Sequence, residues 1–130
     1  MSAKLLYRIA AVIFLLFAAG HTMGFTGFEP PTAEAAAVRA GMSNVHFAIG
    51  SSSCTFWGFY LGFGLHVTVY LLFSAVLAWR LSTRPDALLG WTLCAVQVAG
   101  LVLSLMYFFI VPTVFSAVLA VALGVAASRT

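Results

Sequence analysis

The chain has 130 residues, of which 63% are hydrophobic and 7% are charged, and its mean hydropathy is +1.10. Soluble domains carry about one quarter charged residues and a fold of this size cannot bury so much apolar surface, so the composition excludes an ordinary soluble domain and indicates a membrane protein. The net charge of +3 comes from scattered side chains rather than a basic patch, which argues against nucleic acid as a partner and leaves membrane lipids as the expected surroundings.

Four apolar runs approach the about 20 residues that a helix needs to cross the hydrocarbon core of a bilayer. They cover residues 5–25, 55–79, 87–109 and 113–127. The first run has the basic start and apolar core of a signal peptide, but we interpret it as a retained first membrane helix. The sequence therefore predicts an all-α fold, an integral membrane four-helix bundle that forms a single transmembrane domain over residues 1–130.

The segment between the first two runs, residues 26–54, opens with prolines and then becomes rich in alanine. Its larger apolar residues recur at helical spacing on one face, and they are Val38, Met42, Val45 and Ile49. Arg39 and His46 lie beside that face. We predict a short amphipathic connector helix on the outer membrane surface, which acts either as a lid over the bundle or, in the interpretation that we prefer, as a plain connector.

Prolines mark the boundaries of the later runs. In the sequence STRPDA, Pro85 and Asp86 stand near the start of the third membrane helix, where the helix dipole favours the carboxylate. Pro112 separates the third run from the fourth. Because proline lacks an N–H group, it suits the first turn of the fourth helix better than the interior of one long helix.

Basic residues predict the orientation of the four spans, because cytoplasmic loops carry an excess of lysine and arginine. With the N-terminus inside, the basic residues on the cytoplasmic side are Lys4, Arg8, Arg80, Arg84 and Arg129. Only Arg39 then lies outside, whereas three-span and N-out arrangements spoil this agreement. We therefore expect both termini in the cytoplasm, with the chain in a bacterial inner membrane.

Each predicted helix carries one face of small, polar or aromatic residues, the kind of face through which membrane helices pack. In chain order these faces are Tyr7, Phe14, Phe17 and His21; then Gly58, Gly62 and His66; then Gly90, Gln97, Gly100 and Ser104; then Ser116, Ala120 and Gly124. Gly58 and Gly62 form a GxxxG pattern, and we assign these two and Gly100 to helix packing.

The depth of the polar residues follows from the rise of about 1.5 Å per helical residue. His66 and Gln97 both fall near the bilayer midplane, whereas His21 lies roughly 9 Å nearer the outer surface, with Tyr60 and Ser104 close to its level. An unpaired polar group in hydrocarbon is costly, so we expect His66 and Gln97 to face the bundle interior and to bond each other.

Aromatic side chains concentrate near the predicted outer membrane face, for example in CTFWGFY. They form an aromatic belt and could also wall a pocket for a flat, apolar molecule. Our leading hypothesis is a membrane protein that binds a sterol-, quinone- or isoprenoid-like molecule through His21, His66, Gln97, Tyr60, Trp57 and Ser104. Two alternatives remain open: a membrane isomerase or oxidoreductase that uses His66 and His21 as acid and base, and a structural subunit that docks a partner or a second copy of itself.

No cofactor can be assigned from the sequence. A haem held between His21 and His66 is disfavoured because axial ligands need nearly the same depth. No metal site is predicted, since no two histidines stand at helical i, i+4 spacing. Cys54 and Cys94 fall at different depths, which excludes a disulfide between them within one bundle.

Three motifs carry a family resemblance: GHT at residues 20–22, WGFYLGFGL at residues 57–65 and FFIVPTVFS at residues 108–116. With them the chain resembles a group of small, uncharacterised bacterial four-span membrane proteins. In that group an acidic residue often follows the tryptophan of the second motif, where this chain has Gly58. The resemblance implies the four-span topology and no activity, and the size of the chain is similar to that of the DoxX-type four-helix membrane proteins.

Overall fold

A computed structural model describes all of residues 1–130. It contains five helices and one two-stranded antiparallel sheet: α1 (Ala3–Thr26), α2 (Ala33–Asn44), β1 (His46–Ile49), β2 (Ser52–Thr55), α3 (Phe56–Thr83), α4 (Ala87–Tyr107) and α5 (Ile110–Ala127). Four helices, α1, α3, α4 and α5, are long and apolar enough to cross a membrane. The predicted all-α class and the four membrane helices are confirmed, and the fold fits a four-helix bundle.

Packing divides the chain into two compact units. The core unit contains residues 1–18 and 70–130, and the connector unit contains residues 19–69. Helices α4 and α5 belong wholly to the core unit, and α2 with the β-hairpin belongs wholly to the connector unit. Helices α1 and α3 contribute residues to both.

The helix boundaries follow the prolines and capping residues. Asp86 caps α4, since its carboxylate accepts a hydrogen bond from the Leu89 N–H at 2.9 Å. Pro112 is the third residue of α5, where no intrahelical N–H bond is lost, so its predicted place in the first turn is confirmed. Only Phe108 and Phe109 separate α4 from α5, which forces these helices to run antiparallel side by side.

Small residues bring α4 and α5 close together in the core unit. A Cβ atom on Gly90 would lie 3.1 Å from the Ala127 Cβ, and one on Gly124 would lie 3.3 Å from the Cys94 Sγ. The Cys94 thiol donates to the Ala120 carbonyl at 3.3 Å. The faces predicted for these two helices are therefore the ones that pack, as expected where close backbone approach stabilises membrane helices.

Aromatic residues of α1 complete the core unit. Tyr7 and Phe14 are fully buried, and Phe17 stacks on Phe115 of α5 with ring centroids 4.8 Å apart. Gln97 is 2% exposed, and its Nε2 donates to the Tyr70 hydroxyl at 2.5 Å. The predicted inward direction of Gln97 is confirmed, but its partner is Tyr70 rather than His66.

The face predicted for α3 is wrong. Gly58 and His66 are exposed, and a Cβ atom on Gly62 would meet nothing within 4 Å. The residues of α3 that pack or bond instead are Gly64, Thr68, Leu71, Ser74, Ala75, Ala78, Leu81 and Ser82. These positions recur every three or four residues, with adjacent pairs at 74–75 and 81–82, and therefore lie on one side of a helix with about 3.6 residues per turn. Positions spaced by four residues alone shift progressively around the helix.

The connector is a helix followed by a hairpin. The predicted helix is confirmed over Ala33–Asn44, and Thr32 caps it by accepting from the Ala35 N–H at 3.2 Å. The predicted continuation of its apolar face to Val45 and Ile49 is wrong, because the chain turns extended at Val45 and Ile49 lies in β1.

The hairpin is set by its two-residue turn, Gly50 and Ser51. Gly50 has φ of 59° and Ser51 has no positive φ, the pattern of a type II′ turn with glycine at its first central position. His46 pairs with Thr55 and Ile49 pairs with Ser52. Serine, cysteine and threonine thus form a short strand directly before α3, which the hydrophobic pattern did not reveal.

Candidate functional site

The predicted site residues fall in both units. Gln97 and Ser104 are buried in the core unit on α4. The remaining members belong to the connector unit, and they are His21, Arg39, His46, Trp57, Tyr60 and His66. Three of these six, Arg39, Trp57 and Tyr60, line one recess.

The recess lies within the connector unit and has a volume of about 220 Å³. Its walls come from the chain after α1, from α2 and from the first turns of α3, and they are Phe28, Pro30, Ala35, Val38, Arg39, Met42, Trp57 and Tyr60. We call it the connector recess. Seven of its eight lining side chains are apolar or aromatic, and Arg39 is its single charged group.

Arg39 ties two segments of the connector unit together. Its Nη1 donates to the Phe28 carbonyl at 2.8 Å, and its guanidinium lies 4.7 Å from the centroid of the Trp57 ring. The first contact fixes the chain between α1 and α2, and the second is a cation–π interaction with α3. Arg39 is thereby held at the wall of an aromatic recess rather than extended into solvent.

Aromatic rings connect the connector recess to His21. Trp57 and Tyr60 stack with centroids 5.0 Å apart, Tyr60 meets Phe25 edge-on at 6.3 Å, and Phe25 lies 5.0 Å from the His21 ring. Phe25 also lies directly against Gly64, where a Cβ atom would approach its ring to 2.8 Å. Gly64 therefore allows α1 and α3 to bring these rings together within the connector unit.

His21 is held in one tautomer by its hydrogen bond. Its Nε2 is 3.0 Å from the Gly64 carbonyl oxygen, which only accepts, so Nε2 carries a proton and donates it. The neighbouring hydroxyls of Thr22 and Thr68 bond each other at 2.8 Å. His21 is thus a half-buried side chain that is positioned against α3 within the connector unit.

The other two histidines are exposed and bond backbone carbonyls nearby in sequence. His66 Nδ1 donates to the Gly62 carbonyl at 2.9 Å, and His46 Nδ1 donates to the Asn44 carbonyl at 3.1 Å. The predicted hydrogen bond between His66 and Gln97 is therefore replaced by two separate bonds. Because α3 satisfies one nitrogen of His66 within its own backbone, the imidazole does not need an interior partner.

Glu34 supplies a negative charge at the start of α2. Hydrogen bonds from its own backbone N–H and from the Thr32 hydroxyl lower the pKa of its carboxyl below the usual range. An ionised carboxylate in the first turn is also favoured by the helix dipole. These contacts help to fix where α2 begins, and so where Arg39 lies.

Sequence reasoning missed several wall residues of the site. Phe28, which lines the recess, lies beyond the end of the first apolar run, and Phe25, which contacts His21 and Tyr60, lies at that end. Met42 also lines the recess, whereas its spacing in the sequence indicates only an amphipathic face. The i, i+4 spacing of His21 and Phe25 was the available signal for the ring contact between them. The contribution of Phe28 depends on the fold of the segment after α1, which has no periodic pattern.

Comparison with known proteins gave no match: no family model, no curated protein and no solved structure is similar to this chain. The resemblance drawn from the three sequence motifs therefore stays a prediction.

Proposed function

We propose that the chain is an integral membrane protein that binds a small lipophilic molecule of sterol, quinone or isoprenoid type in the connector recess. The observation that carries the proposal is the recess itself, an aromatic-walled space of about 220 Å³ with one positioned cation. Ligand pockets are typically apolar, with a few fixed polar groups that orient the ligand. The connector recess has this composition.

The volume of the connector recess indicates which part of a ligand could enter it. Pockets for whole small molecules usually measure about 300–1,000 Å³, so the connector recess suits one ring or the end of an isoprenoid chain. The rest of the ligand would lie in the bilayer beside the exposed aromatic side chains of α3, among them Phe56 and Phe63. A ligand with a small head group and an extended tail can be divided between the recess and the bilayer in this way more easily than a rigid polycyclic ligand can.

Arg39 favours a ligand that carries oxygen acceptors. A guanidinium has five N–H donors, and one from Arg39 goes to the Phe28 carbonyl. The remaining donors could bind carbonyl oxygens while a flat ring packs beside Trp57 and Tyr60. A quinone-like head group offers both features, so we place it first among the three ligand classes. Arg39, Trp57 and Tyr60 then replace His66 and Gln97 as the principal contacts in the proposal.

The proposed location is a bacterial inner membrane with the connector unit on the outer side. Five of the six basic residues lie near the ends of α1 and α3, in the turn after α3 or just beyond α5, and Arg39 alone belongs to α2. This distribution supports cytoplasmic termini by the positive-inside rule. The connector recess would then open near the outer leaflet.

The enzyme and structural-subunit hypotheses stay predictions. His21 is held in place by the hydrogen bond from its Nε2, as a positioned acid or base would be. The exposed Gly58 and the open Gly62 would suit contact with another helix.

The Arg39→Gln variant tests the proposal. We expect it to bind a short-chain benzoquinone about tenfold more weakly than the wild type, because a charge-assisted hydrogen bond is lost. Quenching of tryptophan fluorescence in detergent-purified protein measures the affinity, and a sterol probe serves as the comparison ligand. The Arg84→Gln variant, changed in the turn before α4, is the control and should bind as the wild type does. Equal affinities of wild type and Arg39→Gln for the quinone would contradict the proposal.

A further inference from the structure

A second recess lies in the core unit, at the end of the bundle where α1 begins and α3 ends. It measures about 270 Å³ and is lined by Arg8, Ile9, Val12, Ile13 and Trp79. The guanidinium of Arg8 lies 5.3 Å from the centroid of the Trp79 ring. We call this the Arg8 groove. It belongs to a different unit from the connector recess and shares no residue with it.

Few acceptors or acidic side chains of the protein are placed to balance the positive charge of Arg8. Its Nε atom is covered and has no hydrogen-bond partner. The chain has three acidic residues, of which Glu29 and Glu34 belong to the connector unit and Asp86 caps α4. Buried or half-buried cations in proteins normally have an acceptor. The covered Nε is out of reach of a group outside the chain, so an external acceptor would bind the Nη atoms of the same guanidinium, which lies beside the Trp79 ring.

The position of the groove along the helices matches the depth of lipid head groups. Arg8 is five residues after the start of α1, and Trp79 is four residues before the end of α3. At about 1.5 Å per residue, both lie roughly 6–8 Å from the helix ends. Arginine and tryptophan at this depth are typical of the interface between hydrocarbon and head groups. Lys4 and Arg80 add positive charge to the same end.

The rest of the lining is purely aliphatic. Ile9, Val12 and Ile13 follow Arg8 along α1 towards the middle of the span, and Ile9 and Val12 are exposed. One end of the groove is therefore cationic and aromatic, and the other suits an acyl chain.

We propose that the Arg8 groove is a binding site for an anionic phospholipid, whose phosphate contacts the Arg8 guanidinium and whose acyl chain lies along Ile9, Val12 and Ile13. The charge complementarity and the position at head-group depth favour a lipid over a second protein chain.

Native mass spectrometry with defined lipids tests this site. Detergent-purified protein is titrated with phosphatidylglycerol and with phosphatidylcholine of the same acyl chains. We expect the wild type to bind phosphatidylglycerol more tightly than phosphatidylcholine. In the Arg8→Gln variant the ratio of the two affinities should be about fivefold smaller, which is the effect of one basic side chain near a membrane surface. The Arg84→Gln control removes a charge from the turn between α3 and α4 and should change the preference by less than about twofold.

The Arg8→Lys variant separates lipid binding from folding. It keeps the positive charge, so it should keep most of the preference, and circular dichroism checks that both Arg8 variants retain their helix content. The proposal is overturned if Arg8→Gln binds phosphatidylglycerol as the wild type does, or if Arg84→Gln loses as much preference. It is also overturned if the wild type appears as a dimer that Arg8→Gln dissociates while lipid binding is unchanged, because the groove would then hold a second copy of the chain.

Discussion

The Gly90→Leu variant is expected to lose about 1–3 kcal/mol of unfolding free energy, the range found when a packed core is overfilled. A Cβ atom at Gly90 would clash with the Tyr7 hydroxyl and lie 3.1 Å from the Ala127 Cβ. Both neighbours are buried, so neither can move into open space. Unfolding in a titration with a denaturing detergent, followed by circular dichroism, measures the loss.

The Gly20→Leu variant is the matched control for this change. Gly20 also lies inside a membrane helix, but a Cβ atom there would meet nothing within 4 Å. Its replacement should therefore leave the unfolding free energy unchanged or raise it slightly, because glycine is a poor helix former. Equal losses at the two positions would show that the contact of α4 with α1 and α5 does not determine stability.

The Trp57→Ala variant is expected to weaken lipophile binding in the connector recess by about thirtyfold, the effect of removing a central tryptophan from a binding surface. Trp57 forms one wall of the recess, stacks on Tyr60 and lies under the Arg39 guanidinium. Its loss removes the contact surface and releases Arg39 from its position. Isothermal titration calorimetry with a short-chain benzoquinone in detergent measures the change.

The Trp91→Ala variant controls for the loss of a tryptophan from the membrane surface. Trp91 is half-exposed on α4 in the core unit and does not line the connector recess. The affinity of the Trp91→Ala variant for the benzoquinone should match that of the wild type. If Trp57→Ala also binds as the wild type does, the ligand does not occupy the connector recess.

The membrane helices were predictable because the hydrophobicity of many consecutive residues adds up over each span. Each span is a long apolar run bounded by charged or turn residues, so the four helices follow from composition and from residues such as Asp86 and Pro112. The faces of α4 and α5 were also predictable, since small residues on both helices repeat at compatible spacing. Such repeats leave few other ways to bring the two backbones close.

The packing face of α3 was not predictable from the most conspicuous residues. Gly58, Gly62 and His66 form a visible line, but glycines occur at several angles around α3, and the packed one is Gly64. The spacing of three or four residues that begins at Gly64 favours the correct face. It was obscured because a membrane helix is apolar on all sides, so hydrophobicity does not mark the interior.

The connector recess depends on contacts that no local pattern encodes. Arg39 reaches the Phe28 carbonyl across eleven residues and the Trp57 ring across eighteen. The turn at Gly50 allows the hairpin that leads from α2 to the start of α3. The sequence identified Arg39, Trp57 and Tyr60 as candidates, but only the fold brings them to one recess.

Native mass spectrometry of the unmodified protein, purified in a mild detergent, measures directly whether a ligand stays bound, and organic extraction then releases that ligand. The proposed function predicts a retained molecule of sterol, quinone or isoprenoid type on the chain, which solvent extraction releases for identification. Spectra that contain only the bare mass of the chain, in preparations that keep their helix content and bind none of the three ligand classes on addition, would contradict it.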